Sequence, residues 1–245
     1  MLEGMYAAAA GMIAQQKRLD AISGDIANVS TPGYKPMRQA FHDLLYSEAG
    51  IATTAGVQLG AGAGITDLGR MTSQGNIIET GNTLDVAVSG PGFFQVKNAQ
   101  GEALLTRNGH LQIDARGRLA MENGDLLQPT ITLPKGTQAS AVSIAANGNV
   151  AVGGKAVGQV RLVNVQAPSQ LAPRGDDTFM ATAASGPARA AGTSTTLMQG
   201  SIETSGVELS DSMTEMIQTQ RAYQLASRAI NTQDKVAEIA IGVKK

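Results

Sequence analysis

Few side chains in this chain of 245 residues could do chemistry. It has two histidines, His42 and His110, and no cysteine. A general acid or base needs a partner within hydrogen-bond reach. His110 follows the Asn108-Gly109 turn, where a surface strand position explains it better than a catalytic base does. Asp176 and Asp177 are adjacent, so in an extended segment their side chains would diverge, and a solvated turn accounts for them. Arg174-Gly175-Asp176 has the letters of an adhesion tripeptide, but a surface turn after Pro173 suffices. No serine sits in a Gly-x-Ser-x-Gly elbow, and no spacing suggests a metal site. Gly60-Ala61-Gly62-Ala63-Gly64 has the glycine density of a phosphate-cradling loop. Such a loop must open a helix, and no helical pattern follows. The expectation is therefore no catalytic residue, no cofactor and no metal.

Composition narrows the classes further. A net charge of −1 with 16% charged residues steers the protein towards neither nucleic acid nor an anionic membrane. Hydrophobic residues make up 42% but aromatics only 3%, so a core must be built from Val, Ile, Leu, Ala and Met. The lack of cysteine excludes disulfides and thiolate metal sites and leaves the compartment open. No stretch approaches the length of a membrane-spanning helix. Met5 to Ala14 is apolar, but a secretory signal would place Lys or Arg before it. Glu3 is the only early charge, so a retained helix is expected and no cleaved signal.

What remains is periodicity at the two ends. Met5, Met12, Leu19 and Ile26 fall seven residues apart, with Ala8, Gln15, Ile22 and Val29 as a second column. Near the other end, Leu209, Met216, Tyr223, Ile230 and Ala237 repeat in the same way. Such a seam needs another helix to cover it. The first helix is expected from Leu2 to Val29, stopped by Ser30-Thr31-Pro32-Gly33. The last is expected from Asp211 to Ile241, capped by Ser210 or Asp211, with Gly242, Lys244 and Lys245 suiting its far end. The second column of that helix reads Met213, Gln220, Ser227, Asp234 and Ile241. Its polar members suit a crowded assembly better than a simple dimer. Gly4, Gly11 and Gly24 weaken the first helix by up to about 1 kcal/mol each. Both termini are thus expected to order as copies assemble.

Between the seams, Lys35 to Tyr46 reads as a short extended or helical segment and Gly50 to Gly64 as a linker. Leu84, Val86 and Val88 alternate with Asp85, Ala87 and Ser89, the pattern of a half-buried strand. Further strands are expected at Phe93–Val96, His110–Ile113, Leu119–Met121, Val142–Ile144, Val150–Val152 and Val160–Val165. Tight turns at Asn108-Gly109, Arg116-Gly117, Asn123-Gly124 and Asn147-Gly148 separate several of them. The Gly, Ala and Ser-rich stretch Ala181 to Thr196 returns the chain to its last helix. The expected fold is α+β, with long N- and C-terminal helices paired as an α-helical coiled coil and a central antiparallel β domain inserted between them, sandwich-like or barrel-like. Its expected segments are 1–30 for the first helix, 31–75 for a connector, 76–199 for the β domain and 200–245 for the last helix.

Several motifs in order resemble one family. Asn28-Val29-Ser30-Thr31-Pro32-Gly33-Tyr34-Lys35, following a helix, resembles the N-terminal motif of bacterial flagellar rod and hook proteins. Glu215 to Tyr223, continuing to Ala229-Ile230-Asn231-Thr232, looks like their C-terminal helix. Gln74-Gly75-Asn76, Leu84 to Val88, Gly92 to Val96 and Thr106-Arg107-Asn108-Gly109 are similar to their central domain. Length and the Phe41–Tyr46 segment look most like the distal-rod members. The segment after Tyr46 is shorter than is usual there, and Arg174-Gly175-Asp176-Asp177 looks like proximal-rod relatives. A proximal-rod or hook-like axial subunit is therefore the alternative, and a soluble coiled-coil binding module is the alternative of another class.

The resemblance implies a subunit exported by the flagellar type III apparatus. It would polymerise into a helical, periplasm-spanning drive shaft that transmits torque from motor to hook. Its partners would be further copies, other rod proteins, the hook protein and the surrounding ring proteins. Inner-tube packing would fall to Met5, Met12, Leu19, Ile26, Leu209, Met216, Tyr223 and Ile230. The turn of Asn28, Ser30, Thr31, Pro32, Gly33 and Tyr34 would set how the chain leaves the tube.

Overall fold

Apolar periodicity at both ends becomes two long helices in the computed structural model, which describes residues 2–44, 46–48, 58–60, 62–192 and 194–242. Helix α1 runs Leu2–Ala27 and helix α2 runs Leu209–Gly242. The first stops at a turn in which the Thr31 N–H donates to the Asn28 carbonyl, ahead of the proline that bars its continuation. The second starts slightly earlier than its sequence suggests, because the Glu208 carbonyl already accepts the Ser212 N–H. Lys244 and Lys245, expected to favour its C-terminal end, lie outside the described residues.

The chain forms two compact units. One contains Met1–Ala27, Met37–Leu68 and Glu208–Lys245, and the other contains Asn28–Pro36 and Gly69–Val207. In the helical unit, α1 packs against α2 and also touches the strand Met37–Asp43. That strand pairs with Ala63–Arg70, and Tyr46–Glu48 pairs with Gln58–Gly60. Residues 50–57 and 61 of the expected linker lie outside the described residues. The rest of the Gly60–Gly64 run borders strands with no helix after it, so it lacks the setting of a phosphate loop.

The second unit is antiparallel β. Its largest sheet has nine strands. One path through it runs Ala172–Gly175, Thr178–Met180, Ala103–Thr106, Phe93–Lys97, Leu126–Leu127, Leu119–Met121 and Leu111–Ile113. Leu162–Asn164 joins it by pairing with both Phe93–Lys97 and Arg189–Ala190. Three smaller groups complete the unit: Val142–Ile144 with Asn149–Val152 and Lys155–Gln159, Val86–Ser89 with Thr196–Gln199, and Ile77–Glu79 with Ser201–Glu203.

Neighbouring residues on a strand point to opposite faces, and here both faces are covered. Phe94 and Leu104 belong to the main core with Val86, Val96, Leu119 and Leu127, whereas Phe93 and Leu105 belong to a second cluster with Val163, Leu171 and Phe179. This double burial corrects the expectation at Leu84–Ser89. Val86, Ala87 and Val88 are all fully buried, so that strand is covered on both faces rather than half-buried. Asp85 survives there at 3% exposure because Thr80 and Asn82 donate to its carboxylate.

Turn chemistry differs from the simple Asn-Gly reading in one respect. Four corners, Asn98–Glu102, Asp114–Arg118, Met121–Asp125 and Ala145–Asn149, share one hydrogen-bond pattern. In each, the fourth residue is a glycine with φ between 78 and 89° that donates to the first carbonyl, and the first N–H bonds to the fifth carbonyl. This is a three-residue hairpin loop closed by a left-handed glycine. Asn123 and Asn147 do not adopt positive φ themselves; each accepts the N–H two residues on. Gly109 differs again. Its φ is not in the left-handed region, and an added Cβ would fall on the Val86 carbonyl.

Candidate functional site

The helix pair carries most of the residues expected to mediate packing. Gly4 lies against Gln233 and Arg18 pairs with Glu215, so the two helices run antiparallel. Stepping along both by sevens puts Met5 level with Ile230, Met12 with Tyr223, Leu19 with Met216, and Ile26 with Leu209. Met5, Met12, Leu19, Ile26, Met216, Tyr223 and Ile230 are half-buried, while Leu209 is 43% exposed. The physical reason is drift. Seven residues fall about 20° short of two turns in a straight helix, so three heptads rotate Leu209 well away from the line of Ile230.

The same helix corrects the second column. Met213, Gln220, Asp234 and Ile241 are exposed and only Ser227 is half-buried, while the half-buried positions beside Met216 and Tyr223 include Ser212, Ala226 and Gln233, with Thr219 buried. The inner face of α2 therefore sets small and polar side chains beside Met216, Tyr223 and Ile230. Its opposite side exposes Met213, Ile217, Leu225, Val236 and Ile239. Single exposed apolar residues are ordinary, but a row of them along one helix is not. On α1 the first column and Ala8, Gln15 and Ile22 of the second lie at half-buried or buried positions, whereas Val29 falls past the helix end; Ala14 at 2% and Ile22 at 6% are its most buried apolar residues.

The family-like motifs of the β unit meet at one buried carboxylate. Glu203 has no exposed side-chain surface. Its Oε1 accepts Lys35 Nζ at 2.5 Å and the Gly75 N–H at 2.8 Å, and its Oε2 accepts Arg107 Nη1 at 3.0 Å. Lys35 Nζ also donates to the Ser73 carbonyl, and Arg107 Nη2 to the Gly90 carbonyl. Burial pushes the Lys35 ammonium below its ordinary range while Glu203 pulls it back up, and burial likewise lowers Arg107. Two cations on one carboxylate leave this cluster with an excess of positive charge.

The turn before Lys35 is fitted to that cluster. Gly33 is buried at φ 74° and donates its N–H to the Glu203 carbonyl at 2.9 Å. A Cβ there would come within 2.7 Å of the Arg107 backbone, so both conformation and space require glycine. Thr31 Oγ1 lies 3.2 Å from Asn28 Oδ1, the Tyr34 N–H reaches the Thr31 carbonyl, and Ser30 is exposed. Pro32 is half-buried. Beside the cluster, Arg70 donates to the Lys35 carbonyl at 2.6 Å and stacks its guanidinium against Tyr34 and Phe179.

Glu203 and Arg70 escaped the sequence reading. The signal at Glu203 is inverted, because in Ser201–Glu203 the polar Ser201 and Glu203 point inward and Ile202 is only half-buried. Alternation alone assigns the isoleucine to the core. His110 also differs from expectation. It is 43% exposed, as a surface residue should be, yet its Nδ1 lies 2.7 Å from buried Asp85. Thr80 and Asn82 also donate to the Asp85 carboxylate and hold it in place. His42 lies 3.3 Å from the Thr66 hydroxyl on the neighbouring strand. Asp176 and Asp177 form a two-residue hairpin turn with φ 48 and 53° between Gly175 and Thr178. Among the described residues no group of His, Asp or Glu could hold a metal ion, and no helix is long and apolar enough to cross a membrane.

Three family descriptions match this chain in order. Residues 5–35 match the flagella basal body rod protein family, 87–152 the flagellar hook protein FlgE/F/G D1 domain, and 198–243 the flagellar basal body rod FlgEFG protein C-terminal domain. The flagellar basal-body rod protein FlgG of Buchnera aphidicola subsp. Schizaphis graminum is 35% identical, over 97% of this chain and 98% of that protein. FlgG of Agrobacterium fabrum is 36% identical over 97% of this chain and 98% of its own length. FlgG of Bacillus subtilis is 32% identical over the full length of both. With likeness at this level running from one helix through the β unit to the other, the chain belongs to the flagellar basal-body rod family and is of the FlgG type.

Proposed function

We propose that this protein is a structural subunit of the distal rod of the bacterial flagellar basal body, and that its terminal helices are the surface through which copies pack. The observation that carries the packing role is the row Met213, Ile217, Leu225, Val236 and Ile239, left exposed on the side of α2 turned away from α1. Covering such a row requires further helices. A head-to-tail contact whose rotation does not close generates a filament, so repeated burial of this row extends a shaft. In this reading Met5, Met12, Leu19, Ile26, Leu209, Met216, Tyr223 and Ile230 pack within the helical wall as a coiled coil. The Asn28–Tyr34 turn ends α1 and locks the chain onto Glu203. The shaft then transmits torque between motor and hook, with other rod proteins, the hook protein and ring proteins as neighbours.

Complementation tests the assignment. Expressed in strains lacking each rod gene in turn, the chain should restore swimming to the distal-rod deletion and leave the proximal-rod deletions immotile. Purified under polymerising conditions, it should form filaments visible by electron microscopy. Discrete particles together with failed complementation would instead indicate a soluble binding module.

A further inference from the structure

Next to the Glu203 cluster, the β unit has a half-open cavity of about 230 Å³ lined by Lys35, Arg70 and Arg107. Phe93 and Phe179 wall it, and Gln166 stands at its exposed rim. Glu203 is the carboxylate paired with Lys35 and Arg107, and both of its oxygens are already taken by Lys35, Gly75 and Arg107. Asp177 lies within the field of Arg70 but does not line the cavity. The lining thus carries more positive than negative charge. Arg70 Nε and Arg107 Nε are in addition buried with no hydrogen-bond partner, and the Arg107 side chain is only 4% exposed. Burying such donors unpaired is costly.

We propose that this cavity is a binding site for a small oxyanion, a carboxylate or phosphate group, held by Arg70 and Arg107. An oxyanion is acceptor-only, matches the donors that lack partners and offsets the excess charge; guanidinium groups suit it by shape as well as charge. A water molecule could meet one orphan donor but would leave the charge unchanged. The volume lies below the usual range for drug-sized ligands, about 300–1,000 Å³. It therefore suits one carboxylate side chain or a free phosphate rather than a nucleotide. The aromatic walls lower the local polarity and so strengthen the attraction.

The arginine Nε–Hε signals in a ¹H–¹⁵N spectrum of the full chain read this directly. Sodium phosphate is titrated at constant ionic strength, with sodium chloride making up the balance. In a second arm, protein concentration is raised in phosphate-free buffer. Saturable shifts of Arg70 and Arg107 in the first arm, with exposed Arg116 and Arg174 unmoved, identify a free anion. The same shifts in the second arm identify a carboxylate from another copy. Arg70→Gln should weaken the response about tenfold or more. Gln166→Glu, at an exposed position that leaves the fold intact, should weaken it too by placing like charge at the rim. If neither arm shifts Arg70 and Arg107, or all arginines shift alike, or Gln166→Glu has no effect, the site does not exist.

Discussion

Glu203 is tolerated without solvent because three donors from distant parts of the sequence converge on it, namely Lys35, Gly75 and Arg107. Removing its charge strands two buried cations, and breaking a buried ion pair costs about 3–5 kcal/mol. Glu203→Gln should therefore lower stability by that order in urea denaturation. Lys35→Met should cost less, since Glu203 keeps Arg107 and Gly75. An equal loss in the two variants would show that the cluster is not organised around the carboxylate. Asp114 supplies a pH-dependent counterpart at the surface. Its carboxyl is held below the ordinary carboxylate range, chiefly by the Arg118 backbone N–H, with the Arg118 side chain and the Arg116 N–H assisting. A carboxyl whose folded pKa is depressed stabilises the fold above its unfolded pKa, and the gain is lost as pH falls through the folded value. The difference in Tm between wild type and Asp114→Asn should thus be full at neutral pH. It should close as pH drops below about 3.9; a gap independent of pH would contradict the assignment.

At the scale of elements, the seams show what periodicity can and cannot reveal. The first column of α1 was legible because Met, Leu and Ile recur on one face, whereas Val29 of the second falls beyond the helix end. On α2 the column of Met216, Tyr223 and Ile230 was legible, but its neighbour was not. Ser212, Thr219 and Gln233 carry no apolar signal, while Met213 and Ile217 carry one and face outward. The turns divide in a similar way. Their positions followed from glycine, but not which glycines are also pressed against a neighbour. Gly33→Ala meets both a left-handed φ and the Arg107 backbone, whereas Gly124→Ala at φ 88° meets open space. The second should cost about 1–2 kcal/mol, the conformational term alone, and the first clearly more. Thermal melts of the two variants decide this, and equal losses would mean that the Gly33 contact is unimportant.

For the whole molecule, packing between copies should be separable from folding of one copy. Ile217→Asp changes a residue that is 50% exposed, and surface substitutions usually alter stability by within about 0.5 kcal/mol. It should leave the melting curve of the monomer unchanged yet abolish rods and swimming. Leu19→Asp or Ile230→Asp should also block assembly, but with loss of helical circular dichroism and with the β unit still folded. Normal rods in any of the three would overturn the packing role. The sequence by itself determined the α+β class, the two terminal helices, the order of the turns and the family, because each of these is written in local periodicity or in contiguous motifs. Only the tertiary structure decided that Lys35, Gly75, Arg107 and Glu203 meet, that the strand through Val86 is buried on both faces, and that the apolar row on α2 faces outward. Those facts depend on which distant segments come together. Burial inverts the usual meaning of a residue type wherever hydrogen bonds compensate a buried charge, as they do at Glu203.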